Sequence, residues 1–166
     1  MRKILITGGA GNVGGSLARR LVEDSTNFVI IIDNLITGSV NKLPHKKYHN
    51  WSFRKGDVNN LNELSSIIKN EKLDYIFHYA ALVGVKRTLA NPLEVLKDIE
   101  GVKNILKISK DLDVSRIFLS SSSEVYGEPV EIPQNELTTP LNAKLPYAIV
   151  KNVSESYCRS YNQMFG

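Results

Sequence analysis

Cysteine is nearly absent: Cys158 is the only one in 166 residues, which excludes an internal disulfide and fits a reducing compartment. It falls in a segment of helical pattern with no ligand partners nearby, so it reads as a packed thiol rather than a nucleophile. No metal site is expected. Long apolar runs are missing too, since nothing approaches the ~20 residues that a membrane span needs. The opening "MRKILITGG" carries an apolar run too short for the core of a signal peptide. A cytoplasmic protein with no membrane partner is expected. Charge of one sign is scarce as well: 21 Lys and Arg stand against 17 Asp and Glu, a net +4 scattered along the chain. The densest basic stretch, "HKKYHNW" (45–51), interleaves aromatics with basic side chains, a combination met in nucleic-acid contacts. Between two strand-like runs it reads more simply as a solvated connector, and no nucleic-acid partner is expected. Repeats, low-complexity tracts and linkers are also absent, which leaves one domain over residues 1–166.

What is present is an alternation. "KILIT" (3–7), "FVIIID" (28–33), "WSFRKG" (51–56), "YIFHYAA" (75–81) and "RIFLS" (116–120) read as strands. The most apolar of them lack polar alternation, as suits strands covered on both faces. Helical patterns separate them: 12–24 with Val13, Leu17 and Leu21 in line, and 60–70 with Leu61, Leu64, Ile67 and Ile68. A further helix over 92–110 opens on Pro92 and carries the stripe Val95, Ile99, Val102 and Leu106, and a last one runs over 146–164. Strand–helix alternation of this kind implies right-handed crossovers and a doubly wound, parallel α/β sheet of the Rossmann type.

The first strand runs straight into "TGGAGNVGG" (7–15), which contains G-x-G-x-x-G as Gly9, Gly11 and Gly14 and G-x-x-G-x-x-G as Gly8, Gly11 and Gly14. Glycine suits a tight turn and lets a pyrophosphate approach the backbone. The helix that follows offers unpaired N–H groups and the positive end of its dipole. Such a turn is weak by itself, but here a strand precedes it, a helix follows, and Asp33 ends the second strand 19 residues beyond Gly14. An acid there accepts bonds from an adenosine ribose and repels a 2′-phosphate. The residues after it, Asn34-Leu35-Ile36-Thr37, include no arginine. NAD is therefore expected rather than NADP.

In "PYAIVKN" (146–152), Tyr147 and Lys151 stand four apart and share one helix face. A phenol near its ordinary ~10 is a poor base at neutral pH. A cation within about 4–6 Å favours the phenolate, so the pair is expected to lower the tyrosine and let it take a proton from an alcohol. Between turn and pair lies "SRIFLSSSSEVYG" (115–127), an apolar strand ending in four serines and Glu124.

Together these motifs resemble the extended short-chain dehydrogenase/reductase family, in particular its NAD-dependent nucleotide-sugar epimerases and dehydratases, and the resemblance spans essentially the whole chain. "TGGAGNVGG" is similar to the family's cofactor turn, which implies contacts from Gly8, Gly11, Asn12, Val13 and Gly14. "DNLITG" resembles the ribose-binding loop, implying Asp33, Asn34, Thr37 and Gly38. "KGDVNN" implies Asp57 and Val58 at the adenine, and "HYAALVGV" implies Ala80 and Ala81 along the cofactor. In this family the catalytic hydroxyl lies four residues before the tyrosine of V-Y-G, which is Ser122 here. By the same resemblance Ser122 would bond the sugar hydroxyl, Tyr147 would be the base, Lys151 would hold the nicotinamide ribose, and Ser120 would line the cofactor.

The resemblance implies transient oxidation of a nucleotide-sugar, a UDP-sugar by preference, at C4. It leaves the reaction open. A 4-epimerase of the UDP-glucose type is expected first. A 4,6-dehydratase or a UDP-glucuronate decarboxylase using Glu124 as a second acid/base is the alternative, although Ser123 stands where many dehydratases keep an aspartate. A non-enzymatic NAD-binding module is the reading from another class. Three residues depart from the family pattern: Asp98 stands for a usual asparagine, Asn12 for an aromatic or apolar residue, and Asn60 for a frequent acid. Relatives continue for roughly as many residues again, so an NAD-binding half with poor turnover of its own is expected. They also pair through two helices, which makes a homodimer through 92–110 and 146–164 the expectation.

Overall fold

A computed structural model describes residues 1–166. In chain order the elements are β1 (Arg2–Thr7), α1 (Asn12–Leu21), β2 (Asn27–Asp33), a 3₁₀ turn (Val40–Lys42), β3 (Trp51–Lys55), α2 (Leu61–Ile68), β4 (Tyr75–His78), α3 (Val85–Ala90), α4 (Pro92–Leu96), α5 (Asp98–Asp111), β5 (Arg116–Leu119), a second 3₁₀ turn (Ser123–Tyr126) and α6 (Pro146–Phe165). The five strands form one sheet in the order β3-β2-β1-β4-β5, and every pairing is parallel. The doubly wound reading of the sequence is what the chain adopts.

Alternate residues of the central strands feed two cores. Leu5, Ile30, Ile32 and Ile76 face α2 and α5, packing with Leu64, Ile68, Ile105 and Ile108. Ile4, Ile6, Val29 and Ile31 face the other way, onto Ala18 and Val22 at α1 and its end. Each such side chain, taken fully out of water, stabilises the fold by about 1.5–3 kcal/mol before entropy is subtracted. That double burial explains why β2 reads as an unbroken apolar run. The second face is covered only in part: Tyr75, Phe77 and Phe118 of β4 and β5 keep some exposure, with the Phe77 and Phe118 rings stacked 4.5 Å apart. α6 packs on α4 and α5.

Several boundaries differ from the sequence pattern. The expected helix over 92–110 is two helices, because the ladder tightens at Lys97, whose carbonyl accepts from the Glu100 N–H. Its stripe is kept, with Val95, Val102 and Leu106 buried and Ile99 half-buried. α1 stops at Leu21 rather than 24, where Glu23 and Asp24 close three-residue turns. β4 leaves the sheet after His78 instead of running to 81, since the N–H of Ala80 turns to the Thr7 hydroxyl. α3 has no fully buried residue and therefore no apolar periodicity to announce it. No helix is long and apolar enough to cross a membrane.

Candidate active site

The C-terminal ends of β1, β2 and β4 open onto a cleft of about 1010 Å³. It lies where the chain order reverses between β1 and β4, the crevice in which open α/β sheets place their ligands. Its near wall is the glycine turn. Gly8 sits at φ +68°, and a Cβ there would come within 2.6 Å of the Ala80 nitrogen. A Cβ on Gly14 would come within 2.5 Å of the Gly8 carbonyl oxygen. The turn therefore needs glycine to close on itself. Gly11 caps α1 without a side-chain bond, so the first-turn N–H groups of the helix have no capping side chain. Gly8, Gly11, Asn12, Val13 and Gly14 all line the cleft.

Asp33 lies beside this turn, buried to 8% exposure. The Ala10 N–H donates to its Oδ2 at 3.0 Å and the Leu35 N–H to its Oδ1 at 2.8 Å, which fixes the carboxylate at the cleft wall. Asn34 and Thr37 line the same wall. Gly38 does not: it packs behind Asp33, where a Cβ would meet Oδ1 at 2.6 Å. Further along, Asp57, Val58, Ala80 and Ala81 all reach the cleft. The loop carrying Asp57 and Val58 is held from below by buried Asn104, whose Nδ2 donates to the carbonyls of Val58 (2.9 Å) and Asn59 (3.1 Å).

At the far end, α6 projects Tyr147 and Lys151 into the cleft. Lys151 is buried, and its Nζ donates to the Ser120 carbonyl (2.8 Å) and hydroxyl (3.2 Å). The ammonium lies 5.6 Å from the centre of the Tyr147 ring. Burial pushes Lys151 below its ordinary value, and the Asp98 charge opposes that shift. The expectation that lysine lowers the tyrosine is not met here. Burial raises the Tyr147 phenol, a bond with Ser122 draws it down, and the charges of Glu124 and Asp98 raise it again. The ammonium is spent on Ser120 rather than on the phenolic oxygen.

Ser120 and Ser121 line the cleft, whereas Ser122 and Glu124 stand outside its lining, next to Tyr147. Ser122 caps the second 3₁₀ turn, and its Oγ accepts from the Glu124 N–H at 3.3 Å. Ser121 instead donates to Glu155 of α6 at 2.5 Å. Beneath them His78 is fully buried, with Nδ1 2.7 Å from the Thr7 hydroxyl, and burial together with the Lys151 charge pushes it down to about 3.

Sequence reasoning passed over Tyr79, Asn59, Arg87 and Lys97, which also line the cleft. The last two sit on α3 and just after α4, elements whose exposed faces resemble any solvated helix. Asn104 carried no signal either, since it lies off the Val95, Ile99, Val102 and Leu106 stripe, on the side of α5 shared with Ile105 and Ile108. Cys158 is half-buried and its thiol is pushed up by burial and by Glu155, as fits a packed side chain. No group of three or more His, Cys, Asp or Glu comes together as a metal-binding cluster.

A glycine turn on a parallel sheet, an acid at the end of the second strand and a tyrosine–lysine pair on one cleft define a class, the dinucleotide-binding α/β proteins. Within that class, the chain belongs to the NAD-dependent epimerase/dehydratase family, and the family model described as GDP-mannose 4,6 dehydratase matches residues 5–166. The UDP-glucose 4-epimerase of Lactobacillus helveticus is 33% identical over 92% of this chain and 45% of its own length. Among solved structures, the UDP-glucose 4-epimerase of Thermotoga maritima with UDP-glucose superposes with a TM-score of 0.90 at 30% identity, over 99% of this chain and 52% of that one. The Thermus thermophilus UDP-glucose 4-epimerase, a complex with NAD, gives 0.87 at 28% identity, again over 99% and 52%. The chain spans about half the length of the curated relatives it matches.

Proposed function

We propose that this chain is the NAD-binding half of a nucleotide-sugar 4-epimerase that works through a transient 4-keto sugar, with a UDP-sugar as substrate. The observation that carries the reading is the single cleft joining the uncapped start of α1, the fixed Asp33 carboxylate and the Tyr147–Lys151 pair. These residues fit a dinucleotide: the α1 N-terminus suits a pyrophosphate, and Asp33 suits a ribose without a 2′-phosphate. NAD, when bound, supplies a hydride acceptor that also returns the hydride. Within the chain, Tyr147 takes the proton from the sugar hydroxyl that Ser122 orients, and Lys151 holds the cofactor ribose from its seat on Ser120. A phenol raised by burial stays protonated at neutral pH, so Tyr147 becomes available as the phenolate base only when positive charge enters the cleft beside it. Within the chain α6 packs on α4 and α5; a homodimer through 92–110 and 146–164 is part of the proposal, and light scattering on the chain would report it as twice the monomer mass.

Calorimetry with NAD and with NADP tests the cofactor assignment. NAD should bind at least about tenfold tighter, the equivalent of ~1.4 kcal/mol. Equal or tighter binding of NADP would remove Asp33 from its proposed role.

A second reading, a 4,6-dehydratase or UDP-glucuronate decarboxylase, is favoured by one feature: the Glu124 charge bears on the Tyr147 phenol and raises it. In a protein carrying both halves, Glu124→Gln should leave 4-epimerisation within a few-fold of wild type. Loss of elimination or decarboxylation in the same variant would favour the second reading.

A further inference from the structure

We infer that Asp98 is a positioning residue of the cleft: its carboxylate fastens the Leu82 turn and Asn59 to the start of α5, in the cleft wall that Lys151 also lines. The inference rests on the dinucleotide reading only for what the cleft holds.

Three chain segments converge on this side chain. Asp98 is the first residue of α5, at the break from α4. The Leu82 N–H donates to its Oδ2 at 2.6 Å, and Asn59 Nδ2 donates to its Oδ1 at 3.3 Å. Leu82 follows Ala80 and Ala81 on the loop after β4, and Asn59 follows Asp57 and Val58 on the loop after β3. One carboxylate thus ties together two cleft-lining loops and a helix start. A carboxylate is acceptor-only and gives each donor its own oxygen, whereas an asparagine would turn an NH₂ toward one of them. The fold makes room for this arrangement. Gly101, one turn along α5, leaves space that a Cβ would take from Asn59 Oδ1 at 2.6 Å.

The charge has a second consequence. Burial raises Asp98 itself, and the two donors and Lys151 hold it back. Asp57, on the loop after β3, faces it with the same sign and adds to the rise. On α6, the Asp98 charge opposes the downward shift that burial gives Lys151, while burial pushes His78 of β4 below down to about 3. Tyr147 feels both Asp98 and Glu124 as negative neighbours. Lys97, next in sequence to Asp98, is already paired with Glu94 at 2.7 Å. Removing the charge at position 98 therefore moves two groups the same way. Lys151 loses an opposite charge and titrates lower, and Tyr147 loses a repelling anion and also titrates lower.

The test uses the 166-residue chain without added ligand. In Asp98→Ala, amide exchange at Leu82 should quicken about tenfold or more, as expected when a bond to a charged acceptor is lost. In Asp98→Asn, phenolate absorbance (Tyr147 assigned by difference from Tyr147→Phe) and lysine NMR (Lys151 assigned from Lys151→Met) should both show titration at lower pH than wild type. A residue that only braced the loops would move neither titration. Unchanged Leu82 exchange in Asp98→Ala, or unmoved titrations in Asp98→Asn, overturns the inference. If Asp98→Ala does not fold, the Asp98→Asn titrations decide alone. Adding NAD afterwards separates the two readings, because a wild-type chain that fails to bind it refutes the dinucleotide assignment while the ligand-free shifts still judge Asp98.

Discussion

The two ends of the cleft are built on different principles. At the glycine end, shape comes from the backbone. Gly8 and Gly14 pack against main-chain atoms at distances no side chain tolerates, and Asp33 is held by two backbone N–H groups. At the tyrosine–lysine end, shape comes from side chains brought together over long sequence separations: Lys151 on Ser120, Asp98 on Leu82 and Asn59, and Thr7 on His78. The first end is rigid and electrically simple. The second is a cluster of buried ionisable groups whose charges set one another. A cleft organised in this way has one end fixed by its backbone, while the protonation state at the other end responds to its surroundings.

Substitution at the glycine end should therefore cost stability most. Gly8→Val combines a φ of +68° with a Cβ 2.6 Å from the Ala80 nitrogen. Backbone strain and overpacking together destabilise by about 4 kcal/mol, and denaturant unfolding should show a loss of that size or an unfolded chain. A wild-type midpoint would mean that the turn is far looser than its packing indicates.

The tyrosine–lysine end predicts a pH effect next in size. His78 is held near 3 in the fold, against about 6.5 when unfolded. Between those values the unfolded chain binds a proton that the folded chain does not, so stability rises with pH there. The contribution is fully present above about 6.5 and is lost as pH falls toward 3, about 3 kcal/mol of it between pH 7 and pH 4. Asp98, raised in the fold, works in the opposite direction at the acidic end. Urea midpoints followed from pH 7 to pH 4 should fall in the wild type and flatten in His78→Asn. Parallel slopes for the two proteins would remove His78 from the account.

The loop between the two ends predicts the smallest change. Asn104→Ala strips donors from the Val58 and Asn59 carbonyls and should cost about 2 kcal/mol. A thermal midpoint unmoved by the substitution would show that solvent satisfies those carbonyls instead.

The same contrast explains what the sequence made legible. The strands, the glycine turn and Asp33 were readable because each is a local pattern: an apolar run, a glycine spacing, an acid at a strand end. Tyr147 and Lys151 were readable as an i, i+4 pair, but the sign of the shift on Tyr147 was not. It depends on burial, on Ser122 and on the distant charges of Glu124 and Asp98, none of which has a sequence spacing that declares it. The break at Lys97 escaped notice for a related reason, since the apolar stripe continues across it while only the hydrogen-bond ladder tightens. Gly38 belonged to the right loop, yet it supports Asp33 from behind instead of facing the cleft.

The most direct test of the central claim, that one cleft holds one dinucleotide from end to end, is an amide NMR titration of this chain with NAD. The account predicts saturable shifts that grow together at Gly11–Gly14, Asp33, Ala80–Ala81 and Lys151, all with the same midpoint. Shifts confined to the glycine end, or no saturable shift at either end, would contradict it.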